Sequence, residues 1–457
     1  MEVKKNEEYI VEIIDNGCEG EGIAKINGFT VFVPGAIKGE KIKILIVKVL
    51  KSHAYGKILE IIEKSIYREE QDCSTYKRCG GCNLRHIDYE YTLNIKQNMV
   101  QNLIDKNLKE KIKTNLTWSM GNPYYYRNKL QYPIGVDKNN NPIVGVFASR
   151  THEIIPVKEC LIQDREATEI SKYIASLIGK YKLSVYNENT NKGLLRHIVI
   201  KTGFRSGERM VILVVNGDKI PFEKEIASSI QEKYPSISSV VLNVNKKKTN
   251  VILGKKNINI IGNGYIEDQL GEFTFKISPL SFYQVNPVQA EALYNIAIEN
   301  TEITKDDVVF DLYCGIGTIS LFASKFAKKV YGIEIVEQAI EDAKYNAKLN
   351  NIDNAEFIAG DAEVILNDLI ENKKIIPDIV IVDPPRKGLD INTINNILKI
   401  CPKKVTYISC NPATLVRDLK VLEEKYEIKI IQPVDMFPFT SHVECVACLE
   451  LKQMLDK

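Results

Sequence analysis

The chain has 457 residues, 44% of them hydrophobic and 26% charged, an ordinary globular composition long enough for about two or three domains, since single cores seldom grow much beyond roughly 250 residues. No run approaches the roughly 18 apolar residues of a membrane span, and the start Met1-Glu-Val-Lys-Lys-Asn-Glu-Glu8 has no apolar signal core, so a cytoplasmic protein without membrane association is expected. A net charge of +2 does not by itself argue for a nucleic-acid partner, and ten cysteines in such a chain point to metal ligation or catalysis rather than a disulfide framework.

In residues 1–62, short strand-like runs at 11–14, 29–33, 41–48 and 57–62 alternate with turns such as Gly17-Cys-Glu-Gly20-Glu-Gly22. That rhythm predicts a small β-barrel. Lys41, Lys43, Lys48, Lys51, His53 and Lys57 gather in its second half, where they suit a phosphate backbone and equally a solvated strand face. The layout resembles a TRAM domain, an RNA-binding barrel of the oligonucleotide-binding type.

Residues 63–277 show no repeat. Helical patterns over 89–108 and 224–234 and strand-like runs at 195–200 and 210–215 predict a compact α+β domain. It opens with Cys73-x5-Cys79-x2-Cys82, the compact spacing of a metal or cluster site, for which Cys160 is the candidate fourth ligand. Spacing alone does not separate zinc from iron–sulfur. Cys18, Cys314, Cys401, Cys445 and Cys448 read as ordinary small or buried residues.

From Ser278 onward a regular βα alternation predicts an α/β, Rossmann-like sheet over residues 278–457, with strands at 308–313, 329–335, 355–359, 379–382, 405–409, 428–431 and 444–451. The last two lie close enough to pair antiparallel at one edge. Ligands of such sheets bind at the carboxyl ends of the strands, where Asp311, Glu334, Asp361, Asp383 and Cys410 fall. The glycines of Asp311-Leu-Tyr-Cys-Gly315-Ile-Gly317-Thr318 let backbone approach a ligand closely; Glu334 can accept two ribose hydroxyls, and Asp361 can face an adenine amino group. A dinucleotide site would carry a fuller glycine motif for its pyrophosphate, whereas the shorter loop suits S-adenosylmethionine. Each acid alone is equally a helix N-cap; the ordered set points to an adenosine-containing cofactor.

Asp383-Pro-Pro-Arg386 gives the fourth strand a stiff end whose carbonyls are free to accept from a ligand, and similar motifs serve amino-group methyltransferases, which need no cysteine. Here Ser409-Cys-Asn-Pro412 follows. Asn411 can cap and Pro412 open the next helix, so Cys410 lies where backbone N–H groups and the helix dipole favour a thiolate. On position alone a buried structural cysteine is the alternative.

Together Ser281-Phe-Tyr-Gln284-Val-Asn286-Pro287, Asp311-Leu-Tyr-Cys-Gly-Ile-Gly317, Asp383-Pro-Pro-Arg-Lys-Gly388, Ser409-Cys-Asn-Pro412 and His442-Val-Glu444 resemble the RNA uracil-5-methyltransferase family, and the barrel and cysteine cluster fit its 23S ribosomal RNA branch. Tyr124-Tyr-Tyr-Arg127-Asn128-Lys129 and Leu195-Arg196-His197 resemble family segments able to stack bases and hold phosphates, although packing explains the tyrosines as well. The resemblance implies methylation of carbon 5 of a single-stranded or loop uridine in 23S ribosomal RNA, with Cys410 adding to carbon 6 and Glu444 removing the carbon-5 proton. It implies an S-adenosylmethionine pocket lined by Gln284, Tyr313, Thr318, Glu334, Asp361 and Asp383, with Thr318 standing where most members near the ribosomal branch show Asn. It also implies a [4Fe–4S] cluster on Cys73, Cys79, Cys82 and Cys160, serving folding or RNA placement because methyl transfer moves no net electrons. A monomer is expected. The alternatives are a transfer-RNA T-loop methyltransferase, whose common bacterial form lacks barrel and cluster, an iron–sulfur redox protein in which Cys410 and Glu444 stand idle, and a non-catalytic RNA-binding factor.

Overall fold

The computed structural model describes residues 3–453, so the outer ends of the 1–62 and 278–457 stretches lie outside the described residues. Strands Glu8–Glu12, Asp15–Asn16, Gly22–Ile26, Phe29–Val33, Lys41–Val49 and His53–Glu63 form one six-stranded sheet. Alternation decides its inside: Ile42, Ile44 and Ile46 are fully buried with Val31, Val33 and Ala54, while Lys41, Lys43 and Leu45 alternate with them and are half-buried. Backbone bonds from Ile14 N–H to Ile23 O and from Ile13 N–H to Glu40 O, both 2.8 Å, draw its ends together. Gly22, which the sequence places at the end of a glycine turn, opens the run Gly22–Ile26. That run is a strand, and its glycine is required, since a Cβ at Gly22 would stand 2.7 Å from the Ala36 side chain.

The middle of the chain builds a second sheet of seven strands, ordered in space Lys256–Ile261, Ile237–Val244, Arg209–Val215, Leu195–Thr202, Lys129–Val136, Pro142–Phe147 and Ile154–Pro156. Helices Arg165–Lys180 and Glu223–Lys233 bury Ile170, Ile174, Ile226 and Ile230 in the same core as this sheet. Helix Tyr89–Asn107 does not join it. It starts on an Asp88 N-cap and packs Val100 and Ile104 into the core that holds Leu415 and Leu419 of helix Pro412–Leu422.

The third sheet carries the strand-end acids. Its strands are β1 (Val308–Leu312), β2 (Lys329–Glu334), β3 (Ala355–Ala359), β4 (Ile379–Val382), β5 (Lys404–Ser409), β6 (Tyr426–Val434) and β7 (Glu444–Leu451). Their order is β3-β2-β1-β4-β5-β7-β6, parallel from β3 to β5, with β7 antiparallel between β5 and β6. The predicted antiparallel edge pair is therefore present, and this is the Rossmann-like α/β fold expected. The strand order reverses between β1 and β4, which opens the crevice where such sheets bind ligands. Among the described residues no helix is long and apolar enough to cross a membrane.

Candidate active site

The end of β1 is built around a buried acid. Asp311 is fully buried, accepts a 2.5 Å bond from the Ser320 hydroxyl on one oxygen and has no partner for the other among the described residues; burial pushes its carboxyl up to about 7. The chain then turns through left-handed backbone at Tyr313 (φ 70°), Gly315 (φ 56°) and Gly317 (φ 82°). Only glycine fits the last of these, because a Cβ would stand 2.9 Å from the Phe357 ring. The turn brings Gly315 N–H to the Glu334 carboxylate at 3.3 Å, at the end of β2, where Val336 N–H donates to the other oxygen at 2.9 Å. Asp361, after β3, is exposed and caps helix Ala362–Asn367, accepting from Glu363 N–H at 3.0 Å. The capping role left open by the sequence is thus filled at that position.

Gln284, Tyr313, Thr318 and Asp383 meet in one cavity with Gly315 and Tyr294. Sequence reasoning missed Tyr294. It sits on helix Pro287–Thr301, is buried, and has the Thr318 and Gln284 side chains within hydrogen-bonding reach and Asp383 close by. The one sequence signal was the Asn286-Pro287 helix start. Phe282, 70% exposed, stands over the same cavity. A space at Gly315 with no heavy atom within 4 Å of a built Cβ, the half-satisfied Asp311 and the absence of a pyrophosphate loop fit an adenosyl cofactor carrying a positive sulfur.

Pairing of β5 with β7 sets Ser409 against Cys445, so the next residue, Cys410, runs opposite Glu444. Asn411 caps the following helix through Ala413 N–H (3.1 Å), ties its amide to Arg386 O (3.1 Å), and Pro412 opens the helix. The expectation that this terminus favours a thiolate is reversed. Burial, then the carboxyls of Glu444 and Asp383, push the half-buried Cys410 thiol up to about 11 against the pull of Arg386. Glu444 is 3% exposed, and burial with Asp383 nearby raises its carboxyl to about 8. Asp383 keeps some exposure yet is ringed by protein, and burial lifts it to about 7.

The segment 435–443 that delivers Glu444 is pinned from three sides. Asn286 and Gln289 donate to Met436 O and Asp435 O, both at 3.0 Å, and the fully buried Lys96 pairs with Asp435, which also accepts from Tyr89 Oη at 2.8 Å. Asn83, next to Cys82, receives Ser441 N–H at 2.8 Å and donates to Ser441 Oγ (2.9 Å) and to Glu19 O of the barrel (2.6 Å).

Cys73, Cys79, Cys82 and Cys160 are free, half-buried and close enough to act on one another: burial, then Cys160, Cys79 and Cys73, push Cys82 up to about 12. Among the described residues no three His, Cys, Asp or Glu side chains close on a single metal position. On the barrel, Lys41 and Lys43 are engaged by Glu63 (3.5 Å) and Glu8 (2.7 Å), while Lys48, Lys51 and Lys57 stay exposed near a ring cluster of Phe32, His53 and Tyr55 with centroids 5.2–5.9 Å apart.

Sheet order, glycine turn and the cavity at the strand ends define a Rossmann-like S-adenosylmethionine-dependent methyltransferase with an added β-barrel. A TRAM domain profile matches residues 2–59, and the tRNA (Uracil-5-)-methyltransferase profile matches residues 88–452. An uncharacterized RNA methyltransferase of Clostridium tetani is 48% identical over 445 residues, covering 97% of this chain and 96% of that one. One of Staphylococcus aureus is 43% identical over 451 residues, covering 98% and 99%. The crystal structure of Pyrococcus abyssi tRNA (uracil-54, C5)-methyltransferase in complex with S-adenosyl-L-homocysteine superposes with a TM-score of 0.76 at 26% identity, covering 96% of this chain and 99% of that one. This chain belongs to the tRNA (Uracil-5-)-methyltransferase family.

Proposed function

We propose that the protein methylates carbon 5 of a uridine in 23S ribosomal RNA, with Cys410 as nucleophile and Glu444 as the base. The observation that supports this reading is the β5–β7 register, whose last pair, Ser409 with Cys445, leaves Cys410 and the buried Glu444 as the next residues on the two strands, near enough with Asp383 to raise the Cys410 thiol. Carbon 5 of uracil is too weak a nucleophile to take a methyl group unaided. Addition of the Cys410 sulfur to carbon 6 moves the electron pair toward carbon 5, which then takes the methyl group. Glu444 afterwards accepts the carbon-5 proton, and elimination returns Cys410. S-adenosylmethionine, when bound, supplies a methyl group on a positive sulfur. Gln284, Tyr313, Thr318 and Asp383, which line the cavity, would hold it together with Glu334 beside the Gly315 turn and Asp361 at the helix cap after β3, and Phe282 offers a face for the splayed base.

Residues 1–62, 63–277 and 278–457 would act as barrel, central domain and catalytic domain of a monomer. A [4Fe–4S] cluster would be held by Cys73, Cys79, Cys82 and Cys160. The support is the donor set itself: four free, half-buried thiols near enough to act on one another. Iron content and visible absorbance of the anaerobically purified protein test this, and loss of both in Cys82→Ser is expected.

A second reading, methylation of a transfer-RNA T-loop uridine, draws on the Pyrococcus abyssi enzyme, which acts on tRNA uracil 54. Labelled S-adenosylmethionine offered with separate unmodified 23S ribosomal and transfer RNA pools decides between them. Label in transfer RNA alone would overturn the ribosomal assignment, and label in neither would remove the methyltransferase reading. A covalent adduct with 5-fluorouridine RNA that persists in Cys410→Ala would take Cys410 out of its role.

A further inference from the structure

Beside the cofactor cavity lies a second cavity, on the other side of the loop that carries Phe282 and Gln284. Its walls include Asn128 and Lys129, Lys201, and Ser281 and Phe282. The loop rests on this wall: Lys201 Nζ donates to Ser278 O (2.7 Å) and Ser281 O (2.8 Å), and Asn128 donates to Gln284 O through its side chain (3.0 Å) and to Val285 O through its backbone (2.9 Å).

The charge in this wall is unbalanced. Lys201 is 5% exposed and Lys129 is partly buried; the ammonium of Lys129 has no carboxylate or hydrogen-bond acceptor among the described residues. Burial and then Lys129 bring Lys201 down to about 7, and burial and then Arg127 lower Lys129. The one acid acting on Lys201 is Asp342, which is already held by the Ser278 and Ser281 hydroxyls at 3.2 and 2.6 Å and by Lys276 at 3.5 Å. Lys129 is thus a partly buried ammonium without a counter-ion, and its desolvation cost is one that an anion from outside would offset.

We propose that this cavity binds a phosphodiester of the RNA strand next to the uridine presented at Phe282, with Lys129 making the direct contact. The proposal rests on the RNA-methyltransferase reading and deepens it. It gives the central sheet a defined task. A phosphate seated on Lys129 fixes the strand at a set distance from the loop that carries Phe282, so the flanking backbone is gripped without reading its sequence while the base turns into the site. The other anion able to reach this region is the carboxylate of the methyl donor, because the two cavities share Phe282 and Tyr283.

Lys129→Gln and Lys129→Arg in the full chain separate these outcomes. Binding of a fluorescein-labelled oligouridylate is followed by anisotropy over a range of salt, and S-adenosylhomocysteine binding by calorimetry. For Lys129→Gln we expect roughly tenfold weaker RNA binding and a log–log salt slope shallower by about 0.7 to 1, with S-adenosylhomocysteine binding unchanged and most of the loss recovered in Lys129→Arg. An unchanged salt slope, or weaker S-adenosylhomocysteine binding, overturns the proposal. Absence of methyl transfer by the wild-type protein to any RNA would instead remove the underlying functional reading, so the two failures are distinct.

Discussion

Glu444→Gln should stabilise this protein at high pH while abolishing its turnover. The carboxyl of Glu444 titrates at about 8 in the fold, against 4.5 ordinarily. Below about pH 4.5 it is protonated in both folded and unfolded chains. Between 4.5 and 8 the unfolded chain ionises first and gains free energy, so the folded state loses stability as pH rises through this window. Above 8 both are ionised and the loss is constant. At about 1.36 kcal/mol per pH unit the loss reaches at most about 5 kcal/mol, and water entering the site would reduce it to nearer 2. Glutamine mimics the protonated form at every pH. The two proteins should therefore melt within about a degree of each other at pH 5, whereas at pH 9 the variant should melt about 2 to 5 °C higher. Thermal midpoints at the two pH values, read alongside methyl transfer, make the assay. A midpoint difference that does not change with pH would mean that Glu444 is solvated in the folded protein, and the case for a high-pKa base would fall.

Three further outcomes are expected. Lys96→Met leaves Asp435 buried without its cation and should cost about 3 to 5 kcal/mol in urea unfolding, with part of it recovered when Asp435→Asn is added. Gly317→Ala places a side chain against Phe357 in left-handed backbone, and calorimetry should record weaker S-adenosylhomocysteine binding with a stability loss of about 1 to 3 kcal/mol. Asn83→Ala releases Ser441 and the barrel carbonyl of Glu19; we expect kcat to fall several-fold more than the KM for S-adenosylmethionine changes, because the segment leading to Glu444 loosens while the cofactor wall stays in place.

What could be read in the sequence was local or periodic. Alternation marked β1 to β7 to within a few residues, the chain order of the strands placed the acids at their carboxyl ends, and two glycines marked a turn that does need left-handed backbone. Long-range effects were out of reach. Tyr294 enters the cofactor cavity only because its helix lies across the sheet, and the pairing of Lys96 with Asp435 joins residues more than three hundred positions apart. Helix Tyr89–Asn107 had a visible period, but nothing in its spacing said that its partner would be helix Pro412–Leu422. The thiolate expectation at Cys410 failed for the same reason. Helix capping is local and acts as foreseen through Asn411, while burial outweighs it, joined by the carboxyls that arrive from β4 and β7.

That failure bears on how the proposed reaction is ordered. Glu444 raises the Cys410 thiol, so a thiolate forms most easily while Glu444 still holds its proton, yet the later step needs the same carboxyl ionised. A carboxyl near 8 makes both states available around neutral pH. Sulfur addition to carbon 6 consumes the thiolate and carries its charge into the base, which removes the like charge from beside Glu444 before it has to ionise. The same logic applies to the cofactor wall. Asp311 and Asp383 titrate near 7 with the exposed Arg386 the one cation acting on the Cys410–Glu444 pair, so the pocket ionises most readily when a positive ligand is inside it. Methyl-donor binding and ionisation of this acid cluster are then coupled, and S-adenosylhomocysteine, which lacks the positive charge, should bind less tightly than the sulfonium as pH rises through 7.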